Sequence, residues 1–142
     1  MAEDTLGSSQ VKHVVTCFLL QNSRILLLKR SQQVGTFKGS WAAVSGYIES
    51  DAACQSLVEI EEETGFSPAD VALLKKGLPI EVDDTQNGVR WIIHPYLYKV
   101  ITDKPVRIDW EHDELRWIDP QQLWFFETVP GLVEALSNVL PV

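Results

Sequence analysis

The stretch from Asp51 to Gly65 is the strongest local instruction in the chain. Ser50 or Asp51 can cap a helix start, Gly65 stands where a helix ends in a left-handed residue, and Pro68 follows shortly after. Between these signals Ala53, Leu57, Ile60 and Thr64 recur at helical spacing. The pattern predicts a helix over Asp51–Thr64 with that stripe buried. A helix with one apolar stripe, flanked on both sides by strand-like runs, needs a sheet to cover.

Those runs are legible on either side. His13–Leu20 (HVVTCFLL) and Arg24–Lys29 (RILLLK), joined by Gln21-Asn22-Ser23, predict a hairpin. A polar, glycine-punctuated loop follows over Ser31–Ser40, then Trp41–Tyr47 (WAAVSGY) reads as a strand entering a turn at Gly46. Beyond the helix, Leu73–Lys76 and Pro79–Val82 are weaker strands, and Asn87-Gly88 marks a hairpin turn. Val89–Ile101 is the longest strand-like run, and Pro95 inside it implies an edge, a bulge or a break. Glu114–Ile118 forms another short strand, Asp119-Pro120 opens a short helix through Leu123, and Gly131–Val139 ends the chain as an amphipathic helix. Without repeats or linkers, this order predicts the α/β class, a mixed sheet between helices on both faces.

A length of 142 residues fits one domain over residues 11–142, preceded by a loose polar tail over residues 1–10. The net charge of -8 argues against nucleic acid and against an anionic membrane surface as partners. It is compatible with a small phosphorylated ligand that brings its own cations. No apolar run has the length of a membrane span, and the start of the chain lacks a signal pattern. Cys17 and Cys54 share no metal-type spacing and read as small apolar fillers in a reducing compartment, which points to the cytoplasm. Oligomeric state stays open.

The chemistry is concentrated in Glu59-Ile60-Glu61-Glu62-Glu63-Thr64-Gly65-Phe66. Helical spacing puts Glu59, Glu62 and Glu63 on one face, with Ile60 turned to the core and Glu61 to solvent. Three carboxylates on one face repel, and a hard cation such as Mg²⁺ relieves that repulsion. The plain alternative is a solvated acidic helix face.

Upstream stands Trp41-x-x-Val44-Ser45-Gly46-Tyr47-Ile48-Glu49. Taken together, these segments resemble the Nudix hydrolase family, whose box ends in Arg-Glu-apolar-x-Glu-Glu-x-Gly-apolar after a Trp-x-x-Pro-Gly-Gly approach. RILLLKR and Glu114-Leu115-Arg116-Trp117-Ile118 with Asp119-Pro120 are similar to the family's second strand and later region, so the resemblance spans nearly the whole chain. The pattern is degenerate. Ser50 replaces the first box glutamate, Val58 replaces the arginine before Glu59, Val44-Ser45 replaces Pro-Gly, and the loop after Glu49 is about two residues short. In the family that arginine orients the neighbouring glutamate. Valine cannot, and Arg30, Lys38 and Arg90 are the possible substitutes.

The resemblance implies a Nudix-type α/β/α sandwich and metal-dependent attack of water on a phosphorus of a nucleoside diphosphate-linked compound or nucleoside triphosphate. It implies Mg²⁺ or Mn²⁺ held by Glu59, Glu62 and Glu63 with the backbone of Ser45 or Gly46. Catalytic roles fall to Glu59, Glu62 and a later carboxylate, for which Glu114 is preferred over Glu111 and Asp113. Arg30 and Lys38 are candidate phosphate contacts, and His94 and His112 are alternative bases. Trp124-Phe125-Phe126 either lines a base-stacking wall or packs the C-terminal helices onto the sheet. The departures keep a second reading open, a catalytically impaired nucleotide-binding or regulatory module of the same fold.

Overall fold

The computed structural model describes residues 10–140. The expected N-terminal tail lies outside the described residues except for Gln10, which begins the first strand. Eight strands form one mixed sheet: β1 (Gln10–Gln21), β2 (Arg24–Arg30), β3 (Trp41–Ala42), β4 (Val44–Tyr47), β5 (Val71–Lys76), β6 (Ile80–Asp84), β7 (Val89–Val100) and β8 (His112–Ile118). Helix α1 (Ala52–Thr64) and the short helix α2 (Leu132–Ser137) complete the fold, with 3-10 turns at Pro68–Asp70 and Pro120–Phe125.

β1 and β7 are parallel neighbours at the centre, paired from Gln10↔Val89 to Leu20↔Lys99. The expected hairpin exists only at its turn, where Leu20 pairs with Ile25 and Gln21 with Arg24. Beyond that the two strands splay, and the Trp41–Tyr47 segment wedges between them. β3 pairs with β2 at Leu28↔Ala42, while β4 pairs with β1 from Val14↔Tyr47 to Cys17↔Val44. β8 pairs along the other edge of β2. The single strand expected over Trp41–Tyr47 is therefore two, because its ends serve different partners.

Pro95 neither ends nor breaks its strand. β6 pairs with β7 up to Ile80↔Ile93 and β5 resumes at Lys76↔Tyr96. The Pro95 carbonyl accepts the Gly77 N–H on that same side at 2.9 Å. A strand residue points its N and O to one side, so the missing proline N–H faces the gap between two partner strands.

The sheet is covered on both faces. On one, Ile60 and Phe66 pack with Val15, Cys17, Leu19, Leu26, Leu28 and Val44. On the other, Leu132, Ala135 and Leu136 pack with Phe18, Ile25, Leu27, Ile93 and Leu97. α1 is capped as expected: the Asp51 side chain accepts the Cys54 N–H at 2.8 Å, and Gly65 has φ 81. Its buried stripe is rotated from the expected one. Ile60 and Thr64 are buried, but Ala53 is exposed and Ser56 and Glu63 take inward positions. Buried Ser56 bonds the Tyr98 hydroxyl, which makes a polar residue tolerable there. Of the two free cysteines, Cys17 is buried as expected and Cys54 is exposed on the first turn of α1.

Candidate active site

At the open end of the β1–β2 fork lies a cavity of about 340 Å³. Its polar lining comes from Glu49, Glu59, Glu62 and Glu111, with Gln55, Arg30 and the Ser45–Gly46 segment. Its apolar lining includes Val14, Tyr47, Trp91, Ile93, Val129 and Pro130. The wedge strand and α1 therefore meet at one place, which local pattern alone does not specify.

Gly46 permits that meeting. A Cβ built on it would overlap the Glu59 carboxyl group, so the strand passes beside this side chain only without one of its own. Glu59 is half-buried. Burial pushes its carboxyl above the usual range, and a hydrogen bond from Gln55 opposes that rise. The Gln55 Nε2 donates to Glu59 Oε2 at 2.8 Å. Glu62 is exposed at the cavity wall. Glu63 points inward, at 2% exposure, where its Oε1 accepts the Ser45 N–H at 3.4 Å. Burial pushes the Glu63 carboxyl well up, and the charges of Glu59 and Glu111 add to the rise. Behind it His112 lies 3.7 Å from Glu63 and 3.2 Å from Asp109, with burial lowering its basicity.

The later carboxylate at the cavity is Glu111, not the preferred Glu114. The Ser31 N–H donates to the Glu111 carbonyl at 2.8 Å, which fastens that loop beside Arg30. Burial raises the Glu111 carboxyl, Asp109 and Glu59 raise it further, and Arg30 opposes them. Glu114 instead accepts from Arg116 Nε at 3.1 Å, and Arg116 stacks over Trp41. Alternation along β8 puts residues 114 and 116 on one side, which ties Glu114 to Arg116. Asp113 is exposed.

The candidate cations separate in the same way. Arg30 lines the cavity, with its Nε donating to the Thr36 carbonyl at 2.9 Å. Lys38 is exposed and does not line it. Arg90 pairs with Asp83 at 3.0 Å on the β6–β7 hairpin. His94 shares a 3.0 Å contact with His13 away from the cavity lining. Trp124 and Phe125 are 70% and 86% exposed, so neither packs the C-terminal helices, and Phe126 alone of that trio meets Trp41 edge-on. The aromatic residues at the cavity are Phe37 and the pair Tyr47 and Trp91, which stack with centroids 6.1 Å apart. Sequence reasoning missed these three and Gln55. The signal for Gln55 was available, since it stands one helical turn before Glu59.

The NUDIX domain family model matches residues 11–139. The chain belongs to the Nudix hydrolase family. Solved structures share its fold. A MutT NUDIX hydrolase from Burkholderia pseudomallei superposes with a TM-score of 0.71 at 24% identity, covering 92% of this chain and 99% of that one. An Ap4A hydrolase binary complex from C. elegans gives 0.74 at 13% identity, covering 89% and 93%. A MutT protein from Methanosarcina mazei Go1 gives 0.71 at 21% identity, covering 87% and 88%. A search of the curated proteins found no match.

Nudix enzymes generally use divalent metals, and the donor chemistry here fits such an ion. Among the described residues no three His, Cys, Asp or Glu side chains form a ready metal cage. Mg²⁺ does not require one, because it binds through one or two carboxylates and completes its shell with water and substrate phosphate. Glu59, Glu62 and Glu111 line a single cavity and offer oxygen donors of that kind.

Proposed function

We propose that this Nudix protein hydrolyses a nucleoside triphosphate or a nucleoside diphosphate-linked compound in the presence of Mg²⁺ or Mn²⁺. The observation that carries the reading is one cavity lined both by clustered carboxylates with Arg30 and by Tyr47 and Trp91. The carboxylates and Arg30 suit a diphosphate accompanied by cations, and the aromatic rings suit a flat base. Glu59 and Glu62, with Glu63 behind them and the Ser45–Gly46 backbone beside them, would hold the cation. When bound, it neutralises phosphate oxygens and acidifies water.

The chain's own residues supply position and proton handling. Arg30 faces the phosphate oxygens as a fixed positive charge. Glu111, with its carboxyl raised by burial, accepts the proton of the attacking water. Val14 and Ile93 exclude water beside the base. The protein acts as a single domain in the cytoplasm, and no described helix is long and apolar enough to cross a membrane.

The test is phosphate release from a panel of nucleoside triphosphates and diphosphate-linked nucleosides with Mg²⁺ or Mn²⁺. Wild type turns over at least one, and Glu62→Gln loses about 10²–10⁴-fold. No turnover on any substrate would sink the hydrolase reading. The impaired-module reading draws on one observation: Val58 is 45% exposed on α1 and offers no polar group beside Glu59. It predicts nucleotide-dependent thermal stabilisation without product.

A further inference from the structure

The arginine expected before Glu59 is a valine, and none of its three candidate substitutes reaches Glu59. Arg30 is bonded to Thr36, Arg90 to Asp83, and Lys38 does not line the cavity. Glu59 nonetheless has a fixed partner. Gln55 lies one turn earlier on α1, lines the same cavity and donates its amide to Glu59 Oε2 at 2.8 Å. Its other end is also engaged, since Gln55 Oε1 accepts the Glu49 N–H at 3.3 Å. Glu49 opens the shortened loop into α1. One neutral side chain therefore spans from that loop to the carboxylate.

We propose that Gln55 is the positioning residue for Glu59, taking over the orienting role that Val58 cannot perform. This rests on the hydrolase reading above. The physical argument is one of geometry and charge. Glu59 has the like charges of Glu49 and Glu62 near it and would swing away from them if left free, while Glu63 bonds it from another side. An amide donor fixes one oxygen without adding charge, while Oε1 lies toward Gly46. Because Gln55 is anchored at both ends, its own rotamer is held, and a held partner transmits more order than a free one. Gly46 clears the opposite side, so the carboxylate is confined between a donor and an open backbone.

The test separates holding the loop from holding Glu59. Gln55→Ala removes both bonds, whereas Gln55→Glu keeps an acceptor for the Glu49 N–H and loses the donor to Glu59. Both variants should lower kcat about 10–100-fold with little change in KM, and adding Val58→Arg to Gln55→Ala should restore part of the loss. If Gln55→Glu keeps the wild-type rate, Gln55 merely fastens the loop and the proposal fails. A second readout does not need turnover. In amide NMR spectra, the side-chain NH₂ signals of Gln55 should shift toward the free-amide position in Glu59→Ala. Signals that stay in place overturn the proposal. An inactive wild type would defeat the hydrolase reading alone, and the amide signals would still decide whether Gln55 holds Glu59.

Discussion

β1 and β7 run side by side at the centre of the sheet, and each changes partner along its outer edge. On β1 the change from β2 to β4 opens a fork. On β7 the change from β6 to β5 occurs across Pro95. Both places carry a glycine that another group presses against. Gly77 is pressed by the Asn138 carbonyl and the Val139 side chain, and Asn138 Nδ2 also donates to the Leu78 carbonyl at 2.8 Å. That gap is filled by the end of α2 and holds the chain together. Gly46 is pressed by the carboxyl end of Glu59, at a cavity where Arg30 is the basic side chain among four carboxylates. The same device of sheet construction yields a plug in one place and a charged site in the other. What differs is what the covering segment supplies: main chain and a valine from the residues just after α2, ionisable groups from α1.

Matched substitutions break this comparison most sharply. Gly46→Ala should cost activity on the order of 10–100-fold, because the new methyl displaces the Glu59 carboxyl from its place. Its melting temperature should move less than its activity, since what must give way is one half-buried side chain rather than backbone. Gly77→Ala should do the reverse. The methyl meets backbone and a packed side chain, so stability should fall by about 1–3 kcal/mol while turnover below the melting range is retained. Equal behaviour of the two variants in both assays would erase the distinction between plug and site.

The charged fork should also be the less comfortable one without metal. Glu63, Glu59 and Glu111 all have folded carboxyls raised by burial first; Glu59 and Glu111 raise Glu63 further, Asp109 and Glu59 raise Glu111, and hydrogen bonds with Gln55 and Glu63 oppose the rise at Glu59. A raised carboxyl favours the protonated fold. Its contribution is fully present below the unfolded carboxylate range and is lost as pH rises through the folded value. In metal-free buffer, stability should therefore fall as pH climbs above the ordinary glutamate range. Glu63→Gln should raise the melting temperature at neutral pH while lowering turnover. A lower melting temperature at neutral pH would mean that the Glu63 charge is compensated after all. The smallest effect belongs to the plugged gap. Pro95→Ala should change stability by no more than about 1 kcal/mol, because the restored N–H would face a position without a ladder acceptor.

Much of the fold was readable because it follows from local chemistry. The caps of α1, the strand runs and the class of the sheet were visible in Asp51, Gly65 and the apolar periodicities, since capping bonds and side-chain alternation are set within a few residues. The face shared by Glu59 and Glu62 was visible for the same reason. The inward turn of Glu63 was not, because burial depends on where the wedge strand and His112 lie. Glu111 was passed over for Glu114, because the partner of each carboxylate is decided by β8 pairing and by the Ser31 bond to the loop.

By itself, then, the sequence determined which segments are helix and strand, and which helix face gathers carboxylates. Those outcomes depend on neighbours one to four residues away. The tertiary structure decided that the hairpin opens into a fork, that Gly46 lets Glu59 approach, that Glu111 joins it, and that Gln55 connects it to the loop. Those outcomes depend on pairings between residues distant along the chain. Close packing admits only particular side chains at such meetings, and local pattern carries no record of which segments will meet.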